Sequence, residues 1–246
     1  MRRGAWLLVL LALTACATPP SRPARELSPP VRALLDELEG RWARFEDLEG
    51  VVELTLERRG RRQRFAGPLL LKAPAALRFE ALLPWGQPLL VVAMDGETFT
   101  LYSLAEDRAV VGPATEEVVS RWLDVPLPPA TLVALLAGHV LPLPKVEAGA
   151  LVEERVEIRL DLQQEGGWRQ RIWLDPLHRR PRRVEWEGPE IRGEATFADD
   201  QSLTLTIPDR QATLGLRYRE RALGVGLPLA RFRVELPAST SVTRVP

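Results

Sequence analysis

Residues 76–96 read ALRFEALLPWGQPLLVVAMDG. Leu77, Phe79, Ala81 and Leu83 recur with a period of two, the pattern of a strand that buries one side. Pro84-Trp85-Gly86 then breaks the run with turn chemistry. Leu89–Met94 is continuously apolar and predicts a central strand. Asp95-Gly96 is a strong hairpin signal. Phe99 and Leu101 share a face of the following strand, and Ala109–Val111 closes the group. The stretch reads as an antiparallel meander.

The same pattern extends upstream. Val52, Leu54 and Leu56 alternate with Glu53, Thr55 and Glu57. Arg59-Gly60-Arg61 turns the chain, and Gln63–Lys72 returns. Before these strands, Ser28-Pro29-Pro30 suits a helix start. Val31, Leu34, Leu35, Leu38, Trp42 and Phe45 follow helical spacing on one side. Arg32, Asp36, Glu37, Arg41 and Arg44 occupy the other. This predicts an amphipathic helix ending near Asp47 that packs on the domain, with a lipid-surface helix as the alternative.

Downstream the period changes. Thr115 is an N-cap candidate, and Glu116 and Glu117 suit the positive end of a helix. Val118, Val119 and Trp122 form its apolar side. Pro126-Leu127-Pro128-Pro129 stops it. Thr131–Ala137 is a second short helix that Gly138 ends. His139–Ala150 reads as a connection. Strand patterns then resume: Val156, Ile158, Leu160 and Leu162; Ile172 and Leu174; Val184 and Trp186; Phe197; Leu203, Leu205 and Ile207; Leu214, Leu216 and Tyr218; Phe232, Val234 and Leu236. The sum is roughly a dozen antiparallel strands with few helices. The expected fold is mainly β: one curved antiparallel sheet forming a half-open, incomplete barrel closed by helices. The expected boundaries are one domain over 28–238 and a C-terminal tail over 239–246.

Composition narrows the function. The chain has 246 residues, 33 basic and 33 acidic side chains, one Cys and two His. Zero net charge argues against nucleic-acid binding. One cysteine excludes a disulfide framework and a Cys-rich zinc site. Little remains for nucleophile–base catalysis, so no enzymatic activity and no cofactor or metal is expected. Lysine occurs only at Lys72 and Lys145, and the other basic residues are arginine.

The single cysteine sits at the end of MRRGAWLLVLLALTAC, residues 1–16. Arg2 and Arg3 form a positive n-region. Ala5–Leu13 is an apolar run too short to span a bilayer, matching a signal-peptide core. Leu13-Thr14-Ala15-Cys16 resembles a bacterial lipoprotein signal, in which two small residues precede a cysteine that is acylated and becomes the mature N-terminus. Residues 1–15 are then the signal peptide. Residues 16–27, rich in Pro and Arg, form a lipidated tether. Two or more acyl chains give stable anchoring. The resemblance, with Ala17 after the cysteine, implies the inner leaflet of the outer membrane, with the domain facing the periplasm. Removing residues 1–15 takes away Arg2 and Arg3 and leaves the mature chain slightly acidic. No second apolar run approaches transmembrane length.

Within 63–142 the order of features resembles the LolA/LolB superfamily of periplasmic lipoprotein carriers and receptors. The order is a strand ending in Ala76–Leu83, then Pro84-Trp85-Gly86, an apolar strand and a Gly hairpin. Thr115-Glu116-Glu117-Val118-Val119 and a Pro-rich break before a second helix follow. A lipoprotein signal fits the anchored LolB branch better than the soluble LolA branch. The resemblance implies an apolar cavity for acyl chains, a LolA-like periplasmic carrier as partner, and a monomer that inserts lipoproteins into the outer membrane. Its candidate lining is Leu54, Leu56, Leu77, Phe79, Leu101, Ile158, Leu160 and Leu205. Its closing helices would present Val118, Val119, Trp122, Leu132, Leu135 and Leu136. LolB carries an exposed apolar residue on a protruding loop, and the aligned position is Trp85. Periodicity alone leaves a filled core open, and leaves Trp85 free to fold back on the barrel rim.

Other constellations have plainer readings. His139 follows a helix-ending Gly, and His178 sits in a turn. Asp199-Asp200 reads as a hairpin turn, and Glu153-Glu154 and Glu185/Glu187 as strand surface. Two arginine runs, Arg58–Arg64 and Arg179–Arg183, read as solvated hairpin ends or as contacts for anionic head groups or an acidic carrier. Two further functions stay open: an anchored domain that binds another lipid or glycolipid, and an envelope-assembly lipoprotein without a cavity.

Overall fold

The computed structural model describes residues 27–246 apart from 154, 190 and 200. The signal peptide, Cys16 and most of the tether lie outside the described residues. Helix α1 (Pro29–Ala43) comes first. Strands β1 (Asp47–Arg58), β2 (Arg61–Lys72), β3 (Ala76–Leu82), β4 (Pro88–Asp95), β5 (Thr98–Ser103) and β6 (Arg108–Pro113) form the expected meander. Helices α2 (Glu116–Leu123) and α3 (Pro129–Leu136) follow it. The second half is β7 (Val146–Glu153), β8 (Ile158–Gln164), β9 (Arg169–Leu174), β10 (Pro181–Glu187), β11 (Arg192–Asp199), β12 (Ser202–Ile207) and β13 (Ala212–Leu223), with β14 (Ser241–Arg244) last.

Among the described residues all fourteen strands make one sheet, in the order β14-β6-β5-β4-β3-β2-β1-β13-β12-β11-β10-β9-β8-β7. β1 joins the two meanders by pairing antiparallel with β13, Leu54 opposite Leu216. The inward positions of both meanders and the apolar sides of the three helices form one continuous core. Val31, Leu34, Leu35 and Leu38 of α1 are buried as helical spacing requires. Thr115 caps α2 by accepting from the Val118 N–H. The mainly β, curved-sheet architecture closed by helices is as the alternation implied.

Four elements depart from the sequence reading, the first being β7, which begins at Val146 inside the stretch His139–Ala150 read as a connection and pairs with β8. α1 stops at Ala43, because Asp47 already begins β1. Phe232, Val234 and Leu236 have strand-like spacing but belong to a strap over 224–240 that includes a 3-10 turn at Leu229–Phe232. It crosses the outer face of the sheet, where Phe232 and Leu227 pack on Leu70 and Ala76. Val234 and Leu236 cover Val91, Tyr102 and Ala109. β4 is apolar on both faces because helices cover one side and this strap the other. Finally, the expected tail over 239–246 is part of the sheet: β14 pairs parallel with β6, Val242 opposite Ala109.

Hairpin parity places the loops. One end of the sheet holds the start of β1, the finish of β13 and the β9–β10 and β11–β12 turns. The other holds the β1–β2, β3–β4 and β12–β13 turns. At about 3.3 Å per residue, the 12 residues of β1 separate these ends by roughly 40 Å. α2 starts where β6 finishes, and its C-cap Asp124 meets Arg58 at 2.6 Å beside the β1–β2 turn. α3 returns toward the opposite end.

Candidate functional site

A half-open cavity of about 930 Å³ opens where β1 begins and β13 finishes. Its size is at the upper end of ordinary ligand pockets. The floor is apolar: Leu38 and Phe45 from the α1 side, Leu135 and Leu136 of α3, Phe197, Leu203, Leu216 and Tyr218 from the sheet. The rim is charged, with Arg44 and Arg182 exposed on it. α1 and α3 are too short to reach across this end of the sheet, and the gap beyond them is the cavity.

Three locks hold the rim. The Asp47 carboxylate, 1% exposed, accepts from the Val225 N–H at 2.8 Å and the Leu227 N–H at 2.7 Å, with the Lys72 ammonium 3.6 Å away. Burial alone would raise the Asp47 carboxyl, but those N–H groups and Lys72 outweigh it and hold it below the ordinary carboxylate value. Asp175 accepts from the N–H groups of Leu177, His178 and Arg180 and shapes the β9–β10 turn. Arg41 of α1 donates to the His178 and Arg179 carbonyls of that same turn, at 2.8 and 2.6 Å. Deeper, the Tyr218 hydroxyl donates to the Leu136 carbonyl at 2.9 Å and ties α3 to β13.

His139 is half-buried and lines the cavity rather than lying free in solvent. It follows α3, stacks edge-on against Trp42 and tilts against Phe45, with ring centroids at 5.7 and 5.4 Å. Burial, with the charges of Arg41 and Arg221, holds its pKa below the ordinary histidine value. Asp199 is turn chemistry, accepting from the Gln201 N–H at 2.8 Å. No group of His, Cys, Asp and Glu among the described residues is spaced to hold a metal ion.

The sequence-predicted lining falls elsewhere. Leu77, Phe79, Ile158, Leu160 and Leu205 are buried in the closed core, and Leu54 and Leu101 pack on its edge. Leu56 is half-buried on the projecting β1–β2 hairpin. None of the eight lines the open cavity. The helices fill the space above these residues, so the cavity is displaced toward the helix ends. Val118, Val119, Leu132, Leu135 and Leu136 are buried as closing residues, whereas Trp122 is 38% exposed on the outer side of α2. Leu135 and Leu136 are the two closing residues that also line the cavity.

Trp85 stands clear of the barrel. The Gly86 N–H donates to the Leu83 carbonyl at 2.8 Å, making a turn with Pro84 second and Gly86 fourth, the positions those residues favour. Gly86 adopts φ 85°, where a side chain would be strained. The indole is thrust outward, 69% exposed, with its N–H on Gln87 at 3.1 Å. This loop is at the end of the sheet opposite the cavity mouth.

Solved structures share this architecture. A domain assigned by name to outer membrane lipoprotein sorting, from Vibrio parahaemolyticus, superposes with a TM-score of 0.56 at 16% identity, covering 82% of this chain and 97% of that one. A DUF1329 family protein from Desulfovibrio piger gives 0.58 at 14% identity, over 84% and 98%. A LolA superfamily protein from Nitrosomonas europaea gives 0.55 at 9%, over 83% and 97%. The fold is LolA/LolB-like. No protein-family model and no curated protein matches the chain.

Proposed function

We propose that this chain is a membrane-anchored lipoprotein that holds acyl chains, receives lipoproteins from a LolA-like periplasmic carrier and places them in the outer membrane. The observation that carries the reading is the large, apolar-floored cavity between the helix ends and the sheet, in a fold shared with the structures above. Acyl chains bury apolar surface at about 25 cal/mol per Å², so the cavity would capture them without covalent chemistry. Delivery would follow from differential affinity between carrier, cavity and membrane. Cys16 would supply the anchor, and the exposed indole of Trp85 suits a bilayer interface. The protein would act as a monomer without a cofactor.

Depletion in cells tests this reading: lipoproteins should accumulate away from the outer membrane, and restoring Trp85→Glu should leave insertion impaired while the domain stays folded. Normal lipoprotein distribution after depletion would refute the sorting role. One observation favours a second reading. The mouth and the Trp85 loop occupy opposite ends of the sheet, so cargo leaving the cavity does not emerge beside the indole. An anchored protein that binds lipid or glycolipid without inserting lipoproteins needs no such adjacency. It predicts bound lipid together with normal lipoprotein sorting.

A further inference from the structure

The end of the sheet opposite the cavity collects features that the cavity does not explain. Arg58–Arg64 forms the β1–β2 hairpin, and Arg59, Arg61, Arg62 and Arg64 are all exposed. Arg59, Arg61 and Arg62 make no ion pair among the described residues, whereas Arg58 is committed to Asp124. The Arg59 N–H donates to the Gln211 carbonyl at 3.0 Å, which brings exposed Arg210 of the β12–β13 turn alongside. β2 alone separates β1 from β3, so the Trp85 turn lies two strand spacings, about 10 Å, to the side of β1, with Arg61–Phe65 of the arginine hairpin projecting past the last β2–β3 pair, Ala66 opposite Leu82. Trp122 lies in the last turn of α2, the helix end that Arg58 and Asp124 pin to the same hairpin.

We infer that this end is a docking surface for an anionic phospholipid bilayer, with Arg59, Arg61, Arg62 and Arg210 on phosphate head groups and the indoles of Trp85 and Trp122 at the interface. Interleaved arginine and tryptophan suit that boundary: guanidinium groups pair with phosphate in a fork geometry, and indole rings sit at head-group depth. The chain path agrees. The Leu27 side chain approaches Gly149 in the part of β7 nearer this end, and α1 runs from there toward the cavity mouth. Ten residues lie between Cys16 and Leu27, eleven Cα steps with a reach of at most about 40 Å. Docking in this pose turns the cavity mouth away from the bilayer, toward whatever delivers the ligand. The inference rests on the anchored reading for its geometry, and adds a second contact that orients the domain.

The test uses the full chain, purified from the cell envelope and reconstituted in vesicles. A dye is placed at Gln63→Cys on the hairpin or at Leu177→Cys, 81% exposed at the mouth end. Acylated Cys16 takes no label. Energy transfer to a labelled lipid reads the distance of each end from the membrane. Vesicles containing phosphatidylglycerol should bring the hairpin dye clearly closer than the Leu177 dye. Pure phosphatidylcholine, or 1 M salt, where the Debye length falls to about 3 Å, should abolish the difference. Each basic side chain at an anionic surface is worth about fivefold in partition. Reversing Arg59, Arg61 and Arg62 to Glu removes three such contributions and adds repulsion, so it should reduce the bias by about a hundredfold or more, with thermal unfolding unchanged. Equal transfer from both ends in phosphatidylglycerol overturns the inference, as does a bias that survives reversal. Orientation only when an acidic carrier protein is added also overturns it. Sedimentation with phosphatidylcholine vesicles reads the anchor separately: its failure refutes acylation at Cys16, not the arginine surface.

Discussion

Replacing Asp47 with Ala tests how the cavity mouth is held. Its carboxylate accepts from the Val225 and Leu227 N–H groups at 2.8 and 2.7 Å, clamping the start of the C-terminal strap to the start of β1. Hydrogen bonds to a charged group contribute about 1.5–3 kcal/mol each. The Val225 end lies near solvent, where water can replace the lost acceptor. The Leu227 residue is buried, and its N–H would be left unpaired. The expected loss is about 3–4 kcal/mol, or about 6–16 °C in Tm for a domain of this size. Urea unfolding should show a lower midpoint at an unchanged slope. Asp47→Asn, which keeps one acceptor oxygen, should fall between. The pH dependence has a definite sign. The folded carboxyl is held below its ordinary value near 3.8, so its contribution is complete above that value. It is lost as pH falls through the depressed folded value, and wild type and Asp47→Ala should converge only there. A difference under about 1 kcal/mol at pH 7, or one that stays constant into strong acid, would refute the clamp.

Three further outcomes follow from the same packing. His139 has a folded pKa below its ordinary value of 6.5, so its neutral form supports the fold above that pH. Stability should decline as pH falls through the folded value, and His139→Phe should flatten that part of a urea-midpoint profile. Tyr218→Phe removes the bond to the Leu136 carbonyl and should cost about 1–2 kcal/mol in chemical denaturation. Gly67→Ala would set a methyl group 1.9 Å from the Glu80 carbonyl oxygen of β3. That backbone has no room to yield, so the expected cost is about 3 kcal/mol or more in thermal unfolding.

Much of this architecture can be read from residue periodicity. The alternation of Leu77, Phe79 and Ala81 places them inward, and the stripe of Val31, Leu34, Leu35 and Leu38 places α1 on the sheet. The C-terminal strap is hidden because Phe232, Val234 and Leu236 repeat every second residue whether they pair in a sheet or lie across one. β14 escapes because Ser241–Arg244 is exposed and has no buried face to set a period. Trp122 misleads because α2 is amphipathic with its tryptophan on the outer flank. The cavity has no local signature at all. Its lining comes from separate segments brought together where α1 and α3 stop short, a length mismatch that no motif records. The separation of Trp85 from the mouth, by contrast, is a parity statement. Counting hairpins from Asp47 already puts the β3–β4 turn at the other end of the strands.

Native mass spectrometry of the full chain released gently from membranes tests the central claim most directly. The account predicts bound lipid beyond the covalent anchor, lost when Leu216→Arg puts a charge into the cavity floor and retained in Trp85→Glu. A chain that carries no added lipid, or whose lipid is unaffected by Leu216→Arg, would contradict an acyl-binding cavity at this site.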